Sequence, residues 1–316
     1  MTDRTEDRGQ RPGHAQGRTP LIRARREKRL AALAAADRSL PVNFAVVGVQ
    51  KAATSTLYRM LIKHPEVAGG PEKEMRFFLD EQRDWSAPDY TDYARPANRP
   101  RLRLAGDATP AYFFWPHALE RMAAYDPRQR LIVSLRDPIE RAFSQWSMER
   151  YWDPQFPDLA DAVERWGHDE LPTDVPAGMT PARLRKESLF VRGLYGEQLA
   201  RGLRHFPREQ WLVLDFRDVF THPERTLDAT TDFLGIERFT DYPPVLHQNQ
   251  TPTDHTGRAP SVAQVAGLVE RFAPDLTRLE ELSGLDTSAW STSRVAAGEL
   301  SADQLTAKLL GKLGLA

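Results

Sequence analysis

The chain has 316 residues, a formal net charge of −1, 41% hydrophobic and 28% charged residues, and no cysteine. That length admits one large α/β domain or two small ones, and the near-zero charge points to no particular partner, nucleic acid included. Without cysteine there is no disulfide, thiol nucleophile or cysteine-bound metal, which suits a reducing compartment and an expected cytoplasmic location. No run of about 18 apolar residues predicts a membrane span, and the polar N-terminus has no apolar signal segment.

Residues 1–20 are rich in Arg, Asp, Gly, Gln and Pro and read as disordered. Residues 21–36 combine good helix formers with a basic cluster, so residues 1–40 form a disordered or helical basic leader. Such a helix is either an arm for an acidic surface or a solvated leader. A single domain is expected over 41–316.

The first strand is expected at 43–48 and its helix at 55–64. A short strand follows at 103–107, a helix at 115–124, and a strongly apolar strand at 130–135. Pro138 suits the first turn of the next helix, 139–150. Residues 151–187, with several prolines and a short helix near 159–166, read as a surface insertion. A long helix is expected over 189–206, a strand over 210–214, and a helix over 223–234 that stops at Gly235. A Pro- and Thr-rich loop spans 240–260, and helices follow at 261–282 and 301–313. Strands alternating with helices predict a parallel sheet covered on both faces, an α/β three-layer, P-loop-like fold. In such sheets ligands bind beyond the carboxyl ends of the strands.

Two strand–turn–helix segments carry the chemistry. The first, VNFAVVGVQKAATST over 42–56, ends a buried strand at Gly48 and packs Lys51, Thr54, Ser55 and Thr56 into the turn. Backbone N–H groups at a helix N-terminus and a lysine make an anion site. Lys51 comes earlier than the lysine of a Walker A loop, so the physics is shared and the order is not. The alternative is a plain turn with a solvated lysine. The second segment, RDPIERAFS over 136–144, puts Arg136 at a strand end and Ser144 about two helical turns on. Arginine can grip a phosphate with two hydrogen bonds, and the serine can add another; the alternative is an ion pair closing the turn. Between them, KEMRFF over 73–78 offers Glu74 as a candidate general base, or else a charged loop over a buried Phe pair.

Taken together and in this order, these segments resemble the sulfotransferases that use 3′-phosphoadenosine 5′-phosphosulfate (PAPS). They are most similar to the heparan sulfate 3-O- and N-sulfotransferase-like branch, in the manner of a bacterial-type soluble member. The resemblance implies that Lys51, Ala52, Ala53, Thr54, Ser55 and Thr56 hold the 5′-phosphosulfate, with alanines where glycines are commoner. It implies that Arg136 and Ser144 hold the 3′-phosphate, and that Glu74 is the catalytic base with Lys51 as the catalytic cation. DATPAY over 107–112, the segment around Tyr195 and the pair Gly257–Arg258 are similar to further family motifs, the last a loop that closes on the nucleotide. Three positions depart from the branch: Arg76 stands for a histidine, Ala108 for a lysine near the sulfuryl group, and Thr256 for a lysine. The polysaccharide substrate is therefore not carried over.

The resemblance implies transfer of a sulfuryl group from PAPS to a hydroxyl or amine of a small molecule or carbohydrate, with no metal required. No cluster of histidines or carboxylates has ligand spacing. Competing readings are a P-loop-type ATP-dependent kinase and a non-catalytic nucleotide-binding protein. The acceptor pocket is expected within 79–100, 146–190 and 240–256, with Trp85, Tyr90, Tyr93, Trp115, Trp146, Tyr151 and Trp152 as candidate lining.

Overall fold

The computed structural model describes residues 14–70, 72–176, 180–246 and 254–315. Helix α1 (His14–Ala34) leads into strand β1 (Ser39–Pro41), and the central strand β2 (Phe44–Gly48) follows with its helix α2 (Thr54–Leu61). Strand β3 (Val67–Ala68), a 3₁₀ turn (Phe77–Leu79), β4 (Ala94–Pro96) and β5 (Leu104–Asp107) come next. Helix α3 (Ala118–Tyr125), strand β6 (Arg130–Leu135), and helices α4 (Pro138–Trp152), α5 (Leu159–Trp166) and α6 (Pro181–Glu187) fill the middle of the chain. A 3₁₀ turn (Val191–Gly193), α7 (Tyr195–Gly202), β7 (Trp211–Asp215), α8 (Asp218–Thr221) and α9 (Pro223–Leu234) precede the C-terminal helices α10 (Val262–Ser283), α11 (Ser291–Ala296) and α12 (Ala302–Leu313).

Five strands form one parallel sheet in the order β3-β5-β2-β6-β7, and β1 pairs with β4 in a separate antiparallel ribbon. All of β2 is buried, as are the last five residues of β6. Continuous apolar runs are what a parallel sheet covered on both faces requires. Alternation divides the two faces. Ala45, Val47, Leu131 and Val133 enter a core shared with α4, α7 and α10, whereas Phe44, Val46 and Ile132 pack with Leu57 and Leu61 of α2 and Leu227 of α9. The three-layer α/β architecture expected from the strand–helix alternation is the one observed.

Two local expectations are corrected. The single helix expected over 189–206 is broken into the 3₁₀ turn and α7. Leu194 lies outside helical geometry at φ −77°, ψ 74°. A Cβ on Gly193 would fall 2.8 Å from Pro138 and 2.9 Å from Phe272, so the turn is pressed against both. Asp275 of α10 then accepts from the N–H groups of Gly196 and Glu197 at 2.8 and 2.9 Å, capping the new helix start from outside its own sequence. Part of the segment 151–187, expected to be a surface insertion, is likewise core. Phe156, Leu159, Ala162 and Val163 are buried in the main core, and α6 was not foreseen at all. The four-residue spacing of apolar positions on α5 gives it a face that must be covered.

The leader helix is docked. Arg29 is buried and pairs with buried Glu72 at 2.9 Å; it also donates to the Asp92 carbonyl, while Arg26 pairs with the Asp92 carboxylate at 3.0 Å. Glu72 lies two residues before Glu74, so α1 is tied to the segment that carries the candidate base.

Candidate active site

Beyond the carboxyl ends of the sheet lies a cleft of about 790 Å³. Every strand of the sheet feeds it. The turn after β2 contributes Gln50, Lys51 and Ala53 to Thr56; the segment after β3 contributes Lys73, Glu74 and Arg76; and the turn after β5 contributes Pro110 and Ala111. Arg136 follows β6, and Phe216 and Phe220 follow β7. Ser144, Met148, Tyr151 and Trp152 of α4 form a side wall, with Arg25 of α1, Arg185 of α6 and Arg192 completing it.

The turn after β2 is strained in a way that suits an anion. Lys51 and Ala53 have φ of 72° and 58°, in the left-handed region that side-chain-bearing residues seldom adopt. Left-handed residues alternating with other conformations turn successive N–H groups toward one concavity. Ala53 is also the N-cap of α2 and offers no side-chain acceptor to the first turn of that helix. Burial and then Arg136 lower the Lys51 pKa to about 8. Gly48 lets the strand end come close to its neighbours, since a Cβ there would meet Phe113 at 3.0 Å.

Arg136 spans the gap to this loop. Its Nη1 donates to the Lys51 carbonyl at 3.5 Å, its guanidinium lies 4.8 Å from the Phe216 ring centre, and Glu140 sits 3.3 Å from its Nη2. Its Nε is buried with no hydrogen-bond partner among the described residues. A buried unpartnered guanidinium nitrogen is costly unless a ligand satisfies it. Ser144 faces the same cleft from the second turn of α4.

Glu74 sits between two cations. Arg76 donates through Nε and Nη2 to one carboxylate oxygen, and Lys73 lies 3.5 Å from the other. Burial alone would push this carboxyl up, but Lys73 and Arg76 outweigh it and hold the pKa at about 2. Lys73 also reaches the Thr54 hydroxyl at 3.5 Å, so it bridges the start of α2 and the carboxylate. The segment is held by Asp107, a buried carboxylate that accepts from Met75 N at 3.0 Å, the Thr109 hydroxyl at 3.0 Å and the Tyr112 hydroxyl at 2.7 Å. Ala108 N donates to the Lys73 carbonyl at 3.1 Å and Arg76 N to the Thr109 hydroxyl at 3.1 Å. The DATPAY segment thus acts as a scaffold for Lys73 to Arg76, and the Ala108 side chain is fully buried against α2.

Of the residues singled out from the sequence, Lys51, Ala53, Thr54, Ser55, Thr56, Glu74, Arg136 and Ser144 all line this one cleft. Ala52 is buried beneath the loop. The Thr56 hydroxyl donates to the Leu246 carbonyl at 2.9 Å. Tyr195 is buried, and its hydroxyl supports the Arg136 carbonyl at 2.9 Å from behind. Gly257 and Arg258 do not line the cleft; Arg258 N donates to Asp158 at 3.0 Å and its guanidinium pairs with Asp161 of α5. Residues 247–253, just before them, lie outside the described residues.

Of the aromatic candidates, Tyr151 and Trp152 face the cleft; Tyr93, Trp115 and Trp146 are core residues, and Trp85 and Tyr90 stack around Phe77 and Phe78. Sequence reasoning missed Lys73, Arg192, Phe216 and Arg25. Lys73 stood beside Glu74 and could have been weighed with it. Phe216 follows a strand end and falls under the same rule as Arg136. Arg192 depended on the unforeseen turn before α7, and nothing local to Arg25 marks it. Among the described residues no group of three or more His, Asp or Glu side chains could hold a metal ion.

Comparison with known proteins bears on this geometry. The chain is 27% identical over 199 residues to the human bifunctional heparan sulfate N-deacetylase/N-sulfotransferase 3, covering 61% of this chain and 22% of that protein. It is 29% identical over 197 residues to the human heparan sulfate glucosamine 3-O-sulfotransferase 3B1, covering 61% of this chain and 46% of that protein. The chain therefore spans less than half the length of either relative. Among solved structures, a sulfotransferase from Alicyclobacillus acidocaldarius superposes with a TM-score of 0.60 at 25% identity, covering 79% of this chain and 99% of that one. The sulfotransferase-domain profile matches residues 43–251, a span that includes the loop after β2, Glu74 and the turn at Arg136. By that match the chain belongs to the sulfotransferase domain family.

Proposed function

We propose that the protein transfers the sulfuryl group of PAPS to a hydroxyl or amine of a small molecule or carbohydrate, releasing adenosine 3′,5′-bisphosphate. The observation that carries this reading is the meeting of Lys51 and Arg136 across one cleft, with Glu74 on its wall. The loop from Lys51 to Thr56 offers a cation and a helix N-terminus to the 5′-phosphosulfate. Arg136 and Ser144 offer a guanidinium and a hydroxyl to the 3′-phosphate, the group that separates this donor from ATP.

In the reaction the acceptor oxygen or nitrogen forms a bond to sulfur as the bond from sulfur to the bridging oxygen breaks. Glu74 takes the acceptor proton, and Lys51 balances charge growing on the departing phosphate. Fixed charges of this kind, aimed where charge develops, are often the largest catalytic contribution. The acceptor would lie along Tyr151, Trp152 and Met148, with Arg76 at the reacting end. A flat ring or sugar face suits that wall. The reading takes the protein as cytoplasmic, a location that its lack of cysteine suits; among the described residues no helix is long and apolar enough to cross a membrane.

The test is a transfer assay with radiolabelled PAPS over a panel of phenols, amines and sugars, together with thermal shifts. Stabilisation by adenosine 3′,5′-bisphosphate and not by ATP is expected. Stabilisation by ATP alone would favour a kinase, and nucleotide binding without transfer to any of the panel would favour a non-catalytic role.

A further inference from the structure

Glu140 is the fourth residue after Arg136 and lies one turn into α4. Its carboxylate faces Arg136 Nη2 at 3.3 Å, and that contact competes for the guanidinium a phosphate would use. The C-terminal helices surround the same carboxylate. Lys308 of α12 donates to Oε1 at 2.9 Å, Lys312 lies 3.8 Å from Oε2, and the Ser291 hydroxyl of α11 donates to Oε1 at 3.1 Å. Lys308 also reaches Ser291 at 2.8 Å, and Thr292 N donates to the neighbouring Asp137 carboxylate at 2.7 Å. Three cations thus share one carboxylate whose side chain is only 13% exposed. Both lysines come from a helix that lies beyond the matched family span of 43–251.

We propose that Lys308 and Lys312 are positioning residues for donor recognition: by drawing the Glu140 carboxylate toward α12, they leave Arg136 net positive for the 3′-phosphate. Without them, Arg136 and Glu140 would form a one-to-one pair with little charge left to attract an anion. The proposal rests on the reading of Arg136 as the 3′-phosphate contact.

The experiment measures dissociation constants by calorimetry for adenosine 3′,5′-bisphosphate and for adenosine 5′-monophosphate, which lacks only the 3′-phosphate. The ratio of the monophosphate constant to the bisphosphate constant reports the 3′-phosphate contact alone. In Lys308→Met/Lys312→Met the ratio is expected to fall about fivefold, the scale of one partly exposed ion-pair rearrangement, with 5′-monophosphate binding unchanged. Adding Glu140→Gln to that pair removes the competing charge and is expected to restore the wild-type ratio. Both lysines are about half exposed, at 44% and 54%, so methionine keeps their stems packed without disturbing the core. An unchanged ratio, an equal loss for both nucleotides, or failure of Glu140→Gln to restore the ratio would each overturn the proposal. A wild-type protein that binds the two nucleotides equally would instead overturn the reading of Arg136.

Discussion

Arg76 holds Glu74 through two nitrogens on a single carboxylate oxygen, Nε at 3.1 Å and Nη2 at 2.8 Å. Arg76 is itself in a left-handed conformation, φ 55°, with its N–H fixed to Thr109. The pair keeps the candidate base ionised and makes it a weak one, at about pKa 2. An acceptor that draws Arg76 away would strengthen the base as it arrives.

The first prediction follows from that contact. With Glu74 ionised down to about pH 2, kcat/KM should show no acid limb from this group near neutral pH. In Arg76→Ala one of two neutralising cations is gone, so the carboxyl pKa rises and the acid limb moves up toward the ordinary carboxylate range. Glu74→Gln should lower transfer by roughly 10²–10⁴-fold and leave binding of adenosine 3′,5′-bisphosphate intact. A pH–rate profile of the three proteins checks both statements, and full activity in Glu74→Gln would remove Glu74 from its role as base.

Lys51 gives a second pH dependence. Its folded pKa of about 8 lies below the usual 10.5, so between those values the folded chain holds fewer protons than the unfolded one. Stability from this group therefore increases as pH rises through that window. Nucleotide binding should reverse the shift, because an anion favours the charged lysine. Proton uptake on binding adenosine 3′,5′-bisphosphate is expected above about pH 8, together with weakening affinity as pH rises. Calorimetry in buffers of different ionisation enthalpy measures both, and Lys51→Ala should abolish the uptake.

Ala53 is a third test, of strain in the anion loop. A left-handed non-glycine residue costs about 1–2 kcal/mol, and glycine returns about 0.4–1 kcal/mol of that through unfolded-chain entropy. Ala53→Gly should raise stability by up to about 1.5 kcal/mol, and Ala53→Val should lower it, as read by thermal denaturation. The opposite order would mean that the loop relaxes from this geometry in solution.

The leader helix supplies a fourth. Arg29→Ala leaves Glu72 buried without its partner, a change of about 3–5 kcal/mol by the usual scale of broken buried pairs. Arg23→Ala removes an exposed pair with Glu27 and should cost less than about 0.5 kcal/mol. Denaturant titration of both variants compares them, and limited proteolysis of Arg29→Ala should show faster cutting within α1.

What the sequence made legible was local. The run at β2 has no polar side chain and that at β6 is apolar apart from Arg130 at its start and Ser134, so their burial follows largely from composition, and the turn chemistry after each marks Lys51 and Arg136. Gly235, at φ 66°, stops α9 where its position predicts. Contacts between distant segments were not legible. Gly193 ends a helix because Pro138 and Phe272 press on it, and Asp275 starts the next from across the core. Arg25 and Lys308 look like ordinary surface cations until the fold sets α1 beside the cleft and α12 beside Glu140.

The clasp between Glu140 and Lys308 joins positions 168 residues apart. Chains leave the ribosome N-terminus first, at about 5–20 residues per second. The sheet and the loop around Lys51 can therefore assemble while α12 is still inside the synthetic machinery. A nascent chain in that interval has the loop after β2 and its Arg136, but among the described residues Glu140 then has Arg136 as its one remaining ion-pair partner. On the proposed role of Arg136, selective grip on the donor would be a late event, reached only after α12 has been made and has folded back.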